Sequence, residues 1–227
     1  MLTKTIILTL FLLLIQNVVA QEYAATYRVT FISEWSSESH PTDFPIGAHF
    51  STWVGATHDS QIQIWSPDEL ATAGIKDVAE FGFVGTLRSE VISHINNGFA
   101  ENYLIESDLG TTGMTNIEFN VSYSHAQVSL VSMIAPSPDW FVGVHGIDLL
   151  DNEVWVEEAI YDLQPYDSGT DSGTTYTSSN QITSPAEPIS RITTAPLDNG
   201  VPLGALLFER LSVTGTSPDV VFISSFD

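Results

Sequence analysis

From Ile117 to Tyr123 the chain alternates without a break: Ile117, Phe119, Val121 and Tyr123 are apolar or aromatic, and Glu118, Asn120 and Ser122 between them are polar. A β-strand turns successive side chains to opposite faces, so this period fits a strand with one wet and one buried face and fits no helix. Tyr27, Val29 and Phe31 repeat the pattern, and Ile62 and Ile64 suggest another short strand. Strand-like runs at 128–134, 140–144, 154–156 and 206–213 follow, separated by Pro, Gly and Ser. Such strands predict an all-β protein built as an antiparallel β-sandwich. Two short helices interrupt this reading. Leu87, Val91 and Ile95 recur at four-residue steps with Gly98 just beyond as a stop, and a second helix is expected over 68–79.

Residues 1–20 carry Lys4, an apolar run from Ile6 to Ile15 and Val18-Val19-Ala20 before Gln21. They read as a cleaved signal peptide, because the run is short of the roughly 20 apolar residues that span a bilayer. The expectation is a secreted or periplasmic protein with no integral membrane segment after cleavage. The remainder suits one large β domain over 21–213, with a linker or tail over 214–227. There is no cysteine, so no disulfide staples an exported fold that must hold by its core and by any bound metal. The formal net charge of -22 repels nucleic acid and anionic membranes, and nucleic acid is not an expected partner. Acidity of this kind suits calcium binding and salt-water adaptation equally well.

The chemistry of the chain concentrates in Asp167-Ser168-Gly169-Thr170-Asp171-Ser172-Gly173. Calcium takes six to eight oxygen ligands in flexible geometry, and such a loop offers carboxylate, hydroxyl and carbonyl oxygens without bulk. Aspartates also cap their own turns, which is the plainer explanation of the same residues. The loop spells the D-S-G-T signature of aspartic peptidases twice. That chemistry needs two carboxylates about 3 Å apart on separate loops, and these stand back to back on one. The six histidines show no H-E-x-x-H spacing and read as structural, with His49 and His58 expected to bridge loops, and no G-x-S-x-G elbow occurs. Trp35, Trp53, Trp65, Trp140 and Trp155 suit either a core or a sugar-stacking platform, and their place in or beside strands favours the core.

Three segments around that loop, Pro136-Ser137-Pro138-Asp139-Trp140-Phe141-Val142-Gly143, Asp162-Leu163-Gln164-Pro165-Tyr166 running into the loop, and Tyr176-Thr177-Ser178-Ser179-Asn180, stand in a fixed order. An N-terminal block adds Trp35, His40-Pro41, Asp43-Phe44-Pro45, His49-Phe50-Ser51, Gly55-Ala56-Thr57-His58 and Ala79-Glu80-Phe81-Gly82. Together they resemble the spondin N-terminal domain family over about residues 26–211. The resemblance implies a C2-like β-sandwich holding calcium at one edge, with Asp139, Asp167 and Asp171 as its ligands; Asp148 and Asp162 are left outside the set. It also implies a non-catalytic adhesion or binding module with an extracellular protein or glycan partner. A calcium-dependent glycan- or lipid-binding module and an unrecognised hydrolase are the alternatives. Animal spondin domains are disulfide-bonded, so the missing cysteines depart from their pattern and suggest a bacterial exported relative.

Overall fold

In β1 (Ala24–Glu34) every second residue is buried, with Ala25, Tyr27, Val29, Phe31 and Ser33 on the inner face and Thr26, Arg28, Thr30 and Ile32 on the outer one. The computed structural model describes residues 23–215, so the expected signal peptide and the segment 216–227 lie outside the described residues. The chain continues through β2 (His49–Phe50), β3 (Trp53–His58), α1 (Ala73–Phe81), α2 (Gly85–Asn96), β4 (Ala100–Glu106), β5 (Leu109–Gly110) and β6 (Thr112–Ser122). Then follow β7 (Gln127–Ala135), β8 (Trp140–Asp148), β9 (Leu150–Asp151), β10 (Val154–Trp155), β11 (Glu158–Asp162), β12 (Pro165–Asp167), β13 (Ser190–Arg191) and β14 (Gly204–Thr214).

The strands pair antiparallel throughout and form two main sheets. The smaller has the order β11-β14-β1-β6; the larger runs β13-β12-β8-β7-β2-β5, with β3 pairing β7 and β4 pairing β3. Tyr27, Phe31, Phe119 and Phe208 of the smaller sheet meet Trp53, Leu130, Trp140 and Val142 of the larger in the main core. The other face of the larger sheet, through Val54, Ala56, Val131 and Phe141, packs on Ile75, Val78, Leu87 and Val91 of the two helices in a second core. The larger sheet is therefore covered on both faces, which is why β7 reads as a run of buried residues and not as an alternation. Each large apolar side chain so buried contributes roughly 1.5–3 kcal/mol. The antiparallel sandwich is thus present with two short helices on one side.

Some expected elements fall differently. Residues 62–64 form no strand; Ile64 is buried in the helix-side core with Ile62 packed against it, so their spacing reflects packing of a loop. The first helix starts at Ala73 and not near 68, because Asp68 takes a left-handed φ of 68° and Thr72 is the N-cap, accepting from the Ile75 N–H at 3.1 Å. The second covers its expected range and extends it by two residues before Leu87 and one beyond Ile95. The alternation at Tyr123 ends one residue early, since Tyr123–His125 is a 3-10 turn. β4 and β11, unmarked by any clean alternation, are strands nonetheless.

Candidate metal centre

The site lies where β8 begins and β12 ends. Asp167 pairs with Trp140 in the β12–β8 register, and this places the preceding residue, Asp139, beside the loop that leaves β12. That loop is closed by backbone bonds: Ser168 N–H to Asp139 O at 3.1 Å, Ser172 N–H to Gln181 O at 2.8 Å, Thr183 N–H to Thr170 O at 3.0 Å and Glu187 N–H to Gly169 O at 2.9 Å. Gly169 holds a φ of 74°, and a Cβ there would lie 2.0 Å from the Glu187 carbonyl oxygen, so only glycine lets the two backbones approach.

Asp139 is the centre of this arrangement and is fully buried. Its Oδ2 accepts from the Thr170 N–H at 2.8 Å, the Ser168 hydroxyl at 2.9 Å and the Asp171 N–H at 3.0 Å. Its Oδ1 is buried with no hydrogen-bond partner. Burial pushes the Asp139 carboxyl above the usual range, and the charge of Asp171 adds to this, while the N–H groups and hydroxyl around Oδ2 pull the other way. Asp167, half-buried, accepts from the Gly169 N–H at 2.8 Å. Burial first and the charge of Asp139 second raise its pKa to about 6, against the opposing Gly169 N–H and Trp140 indole. Asp171, nearly buried, spends one oxygen on its own turn, accepting from the Gly173 N–H at 2.7 Å, and the other on the Gln181 N–H at 2.8 Å.

The fold thus gathers all three predicted aspartates around one loop but gives them unequal parts. The pKa of Asp167 is raised by burial and then by the charge of Asp139, that of Asp139 by burial and then by the charge of Asp171, and Asp171 also fastens the loop. Among the described residues no three His, Cys, Asp or Glu side chains converge on a single point that could hold a metal. A cation at Asp139 and Asp167 would therefore draw further oxygens from carbonyls, hydroxyls or water, which calcium accepts. The donor set fits a hard cation: every side-chain donor is oxygen, one buried carboxylate oxygen lacks a partner, and the ion pairs of the described residues, Arg28–Glu118 and Lys76–Glu80, include none of the three aspartates. Ser168 and Thr170, whose buried hydroxyls lie 2.8 Å apart beside Asp139, belong to the site; the sequence offers the loop's hydroxyls as oxygen donors without singling out these two.

The remaining sequence candidates resolve simply. All five tryptophans are at most 4% exposed, so they build the cores and offer no stacking platform. His58 is buried between the Asp59 carbonyl at 2.7 Å and the Ser129 hydroxyl at 2.8 Å, bridging β3 to β7, whereas His49 reaches only the Gly47 carbonyl within its own loop. Asp148 caps the turn to β9 by accepting from the Leu150 N–H at 2.9 Å, so it is more than the bare surface charge expected of it. Asp162 ends β11, exposed. No helix among the described residues is long and apolar enough to cross a membrane.

Comparison with known proteins agrees with this architecture. The family model for the spondin N-terminal domain, Spondin_N, matches residues 25–203. Spondin-2 of Homo sapiens is 33% identical over 205 residues, covering 86% of this chain and 60% of that protein. Spondin-1 of Bos taurus is 35% identical over 176 residues, covering 74% of this chain and 22% of that protein, and Spondin-1 of Xenopus laevis is 31% identical over 214 residues, 87% and 26%. The chain therefore spans less than two thirds of the relatives it matches. With the family model covering most of its length and the two-sheet sandwich in place, the chain belongs to the spondin N-terminal domain family.

Proposed function

We propose that this protein is an exported, calcium-binding spondin-domain module that acts by binding an extracellular protein or glycan, in adhesion and without catalysis. One observation carries the calcium reading: the buried, partnerless Oδ1 of Asp139, next to a second carboxylate that burial and charge repulsion push up to about 6. A buried carboxylate without a compensating charge is costly, and a divalent cation relieves both the desolvation and the repulsion. Asp139 and Asp167 would hold the ion directly, with Asp171 completing or bracing the loop. When bound, the ion supplies charge neutralisation and a tie between two segments far apart in sequence. A rigid loop loses less entropy on meeting a partner.

The extracellular role rests on kinship with the spondins and on the signal-like residues 1–20. A hydrolase reading gains nothing from the site, since both oxygens of Asp171 are occupied by backbone N–H groups. The test is thermal unfolding in excess chelator and then across a calcium titration, with magnesium as control. Calcium at 100 times its dissociation constant adds about 2.7 kcal/mol, which for a domain of this size raises Tm by about 5–10 °C. An unchanged Tm, after metal analysis shows a truly ion-free start, would remove the calcium reading.

A further inference from the structure

The β7–β8 connection that carries Asp139 also contributes Pro136 to a separate groove of about 420 Å³, lined further by Ile46, His49, Glu80, Phe81 and Asp108. Two of these side chains are out of place for a folding role. Ile46 is 100% exposed and Phe81 63% exposed, and neither belongs to either core. Both stand at turns: Ile46 lies between Pro45 and Gly47, which has a φ of 77°, and Phe81 ends α1 just before the left-handed cap Gly82, whose N–H bonds to Asp77 O and Val78 O. Large apolar side chains exposed at the rim of a concavity are the anatomy of a docking site.

The segments His49-Phe50-Ser51 and Ala79-Glu80-Phe81-Gly82 meet here. In them Phe50 and Ala79 are core residues, but Phe81 is not. Charge then selects the occupant. Of the two acids that line the groove, Asp108 is exposed while Glu80 is already bridged to Lys76 at 3.8 Å, and the whole chain carries -22. That charge repels an anionic membrane and a second copy of the chain alike. We propose that this groove docks a basic segment of a partner protein, an apolar side chain packing on Ile46 and Phe81 while a flanking Lys or Arg faces Asp108. The proposal goes beyond the cation site and does not depend on it.

A random peptide library displayed on phage and selected on the exported chain tests it, with the enriched peptides then synthesised and titrated by fluorescence anisotropy. The expected result is enrichment of peptides with an apolar centre and basic flanks, binding that weakens with salt, and a loss of about tenfold or more in Ile46→Lys and in Phe81→Lys. Both positions are exposed, so each variant should keep its Tm; Ile160→Lys, 63% exposed on β11, is the control that should bind as the parent does. Should a lysine variant misfold, chemical-shift mapping on the unsubstituted chain must place the bound peptide at residues 46, 81 and 108. Enriched peptides that are acidic, or binding indifferent to both variants, would overturn the proposal. So would a dimer or vesicle binding that Phe81→Lys abolishes, since the groove would then serve a second copy or a lipid surface.

Discussion

At the scale of single residues the site stores a conflict that a neutral side chain removes. Because the folded pKa of Asp167 is raised to about 6 from an ordinary 3.8, its ionised form is penalised in the folded state, so its contribution favours folding at acid pH and is lost as pH rises through about 6. In chelator, Asp167→Asn should therefore stabilise the protein at pH 7 by on the order of 1–2 kcal/mol, discounted for its partial exposure. The gain should shrink as pH falls below about 6 and vanish by about pH 3, where Asp167 is neutral folded and unfolded alike. The difference between the two proteins is the quantity to follow, because His40, His58 and His145, held neutral by burial, favour folding in the opposite direction as pH rises. Denaturant titrations of both proteins across that range decide the matter. A gain of the same size at every pH would show that charge is not its source. The calcium response should be lost in the variant as well.

At the scale of an element, the loop from Asp167 to Thr183 owes its shape to backbone contacts more than to its aspartates. Gly169→Ala places a methyl group against the Glu187 carbonyl at a left-handed position. It should cost roughly 2 kcal/mol or more and loosen the amides that hold Asp139 Oδ2, with the loss visible in calcium affinity measured by calorimetry. An unaltered affinity would mean that the loop and the cation are independent. Helix α1 shows the same local logic at lower stakes. Its N-cap Thr72 also donates to Glu90 of α2 at 2.7 Å, so one hydroxyl starts one helix and pins it to the next.

At the scale of the molecule, a chain with 28 acids against 6 Lys and Arg folds against its own repulsion. Among the described residues only Arg28–Glu118 and Lys76–Glu80 form salt bridges, so most of that charge is unpaired. Monovalent salt shortens the Debye length from about 30 Å at 0.01 M to about 8 Å at 0.15 M. With chelator present, Tm should therefore rise by several degrees over that range in sodium chloride, and a flat or falling Tm would show that the carboxylates are already spaced widely enough not to interact.

Period-two alternation marks β1 and the end of β6, because each turns one face to the core and the other to water, and that contrast is written in the order of the residues. The aspartates and glycines of the 167–173 loop were legible for a related reason, since turn chemistry is local. What the order of residues left open depended on contacts far along the chain. Ile62 and Ile64 alternate but pack as a loop on the helix-side core, and β4 becomes a strand only because β3 offers it an edge. The unequal roles of the three aspartates were likewise beyond sequence. They follow from a β8–β12 register that carries Asp139 into the loop 29 residues away from Ser168, leaving one oxygen saturated and the other bare.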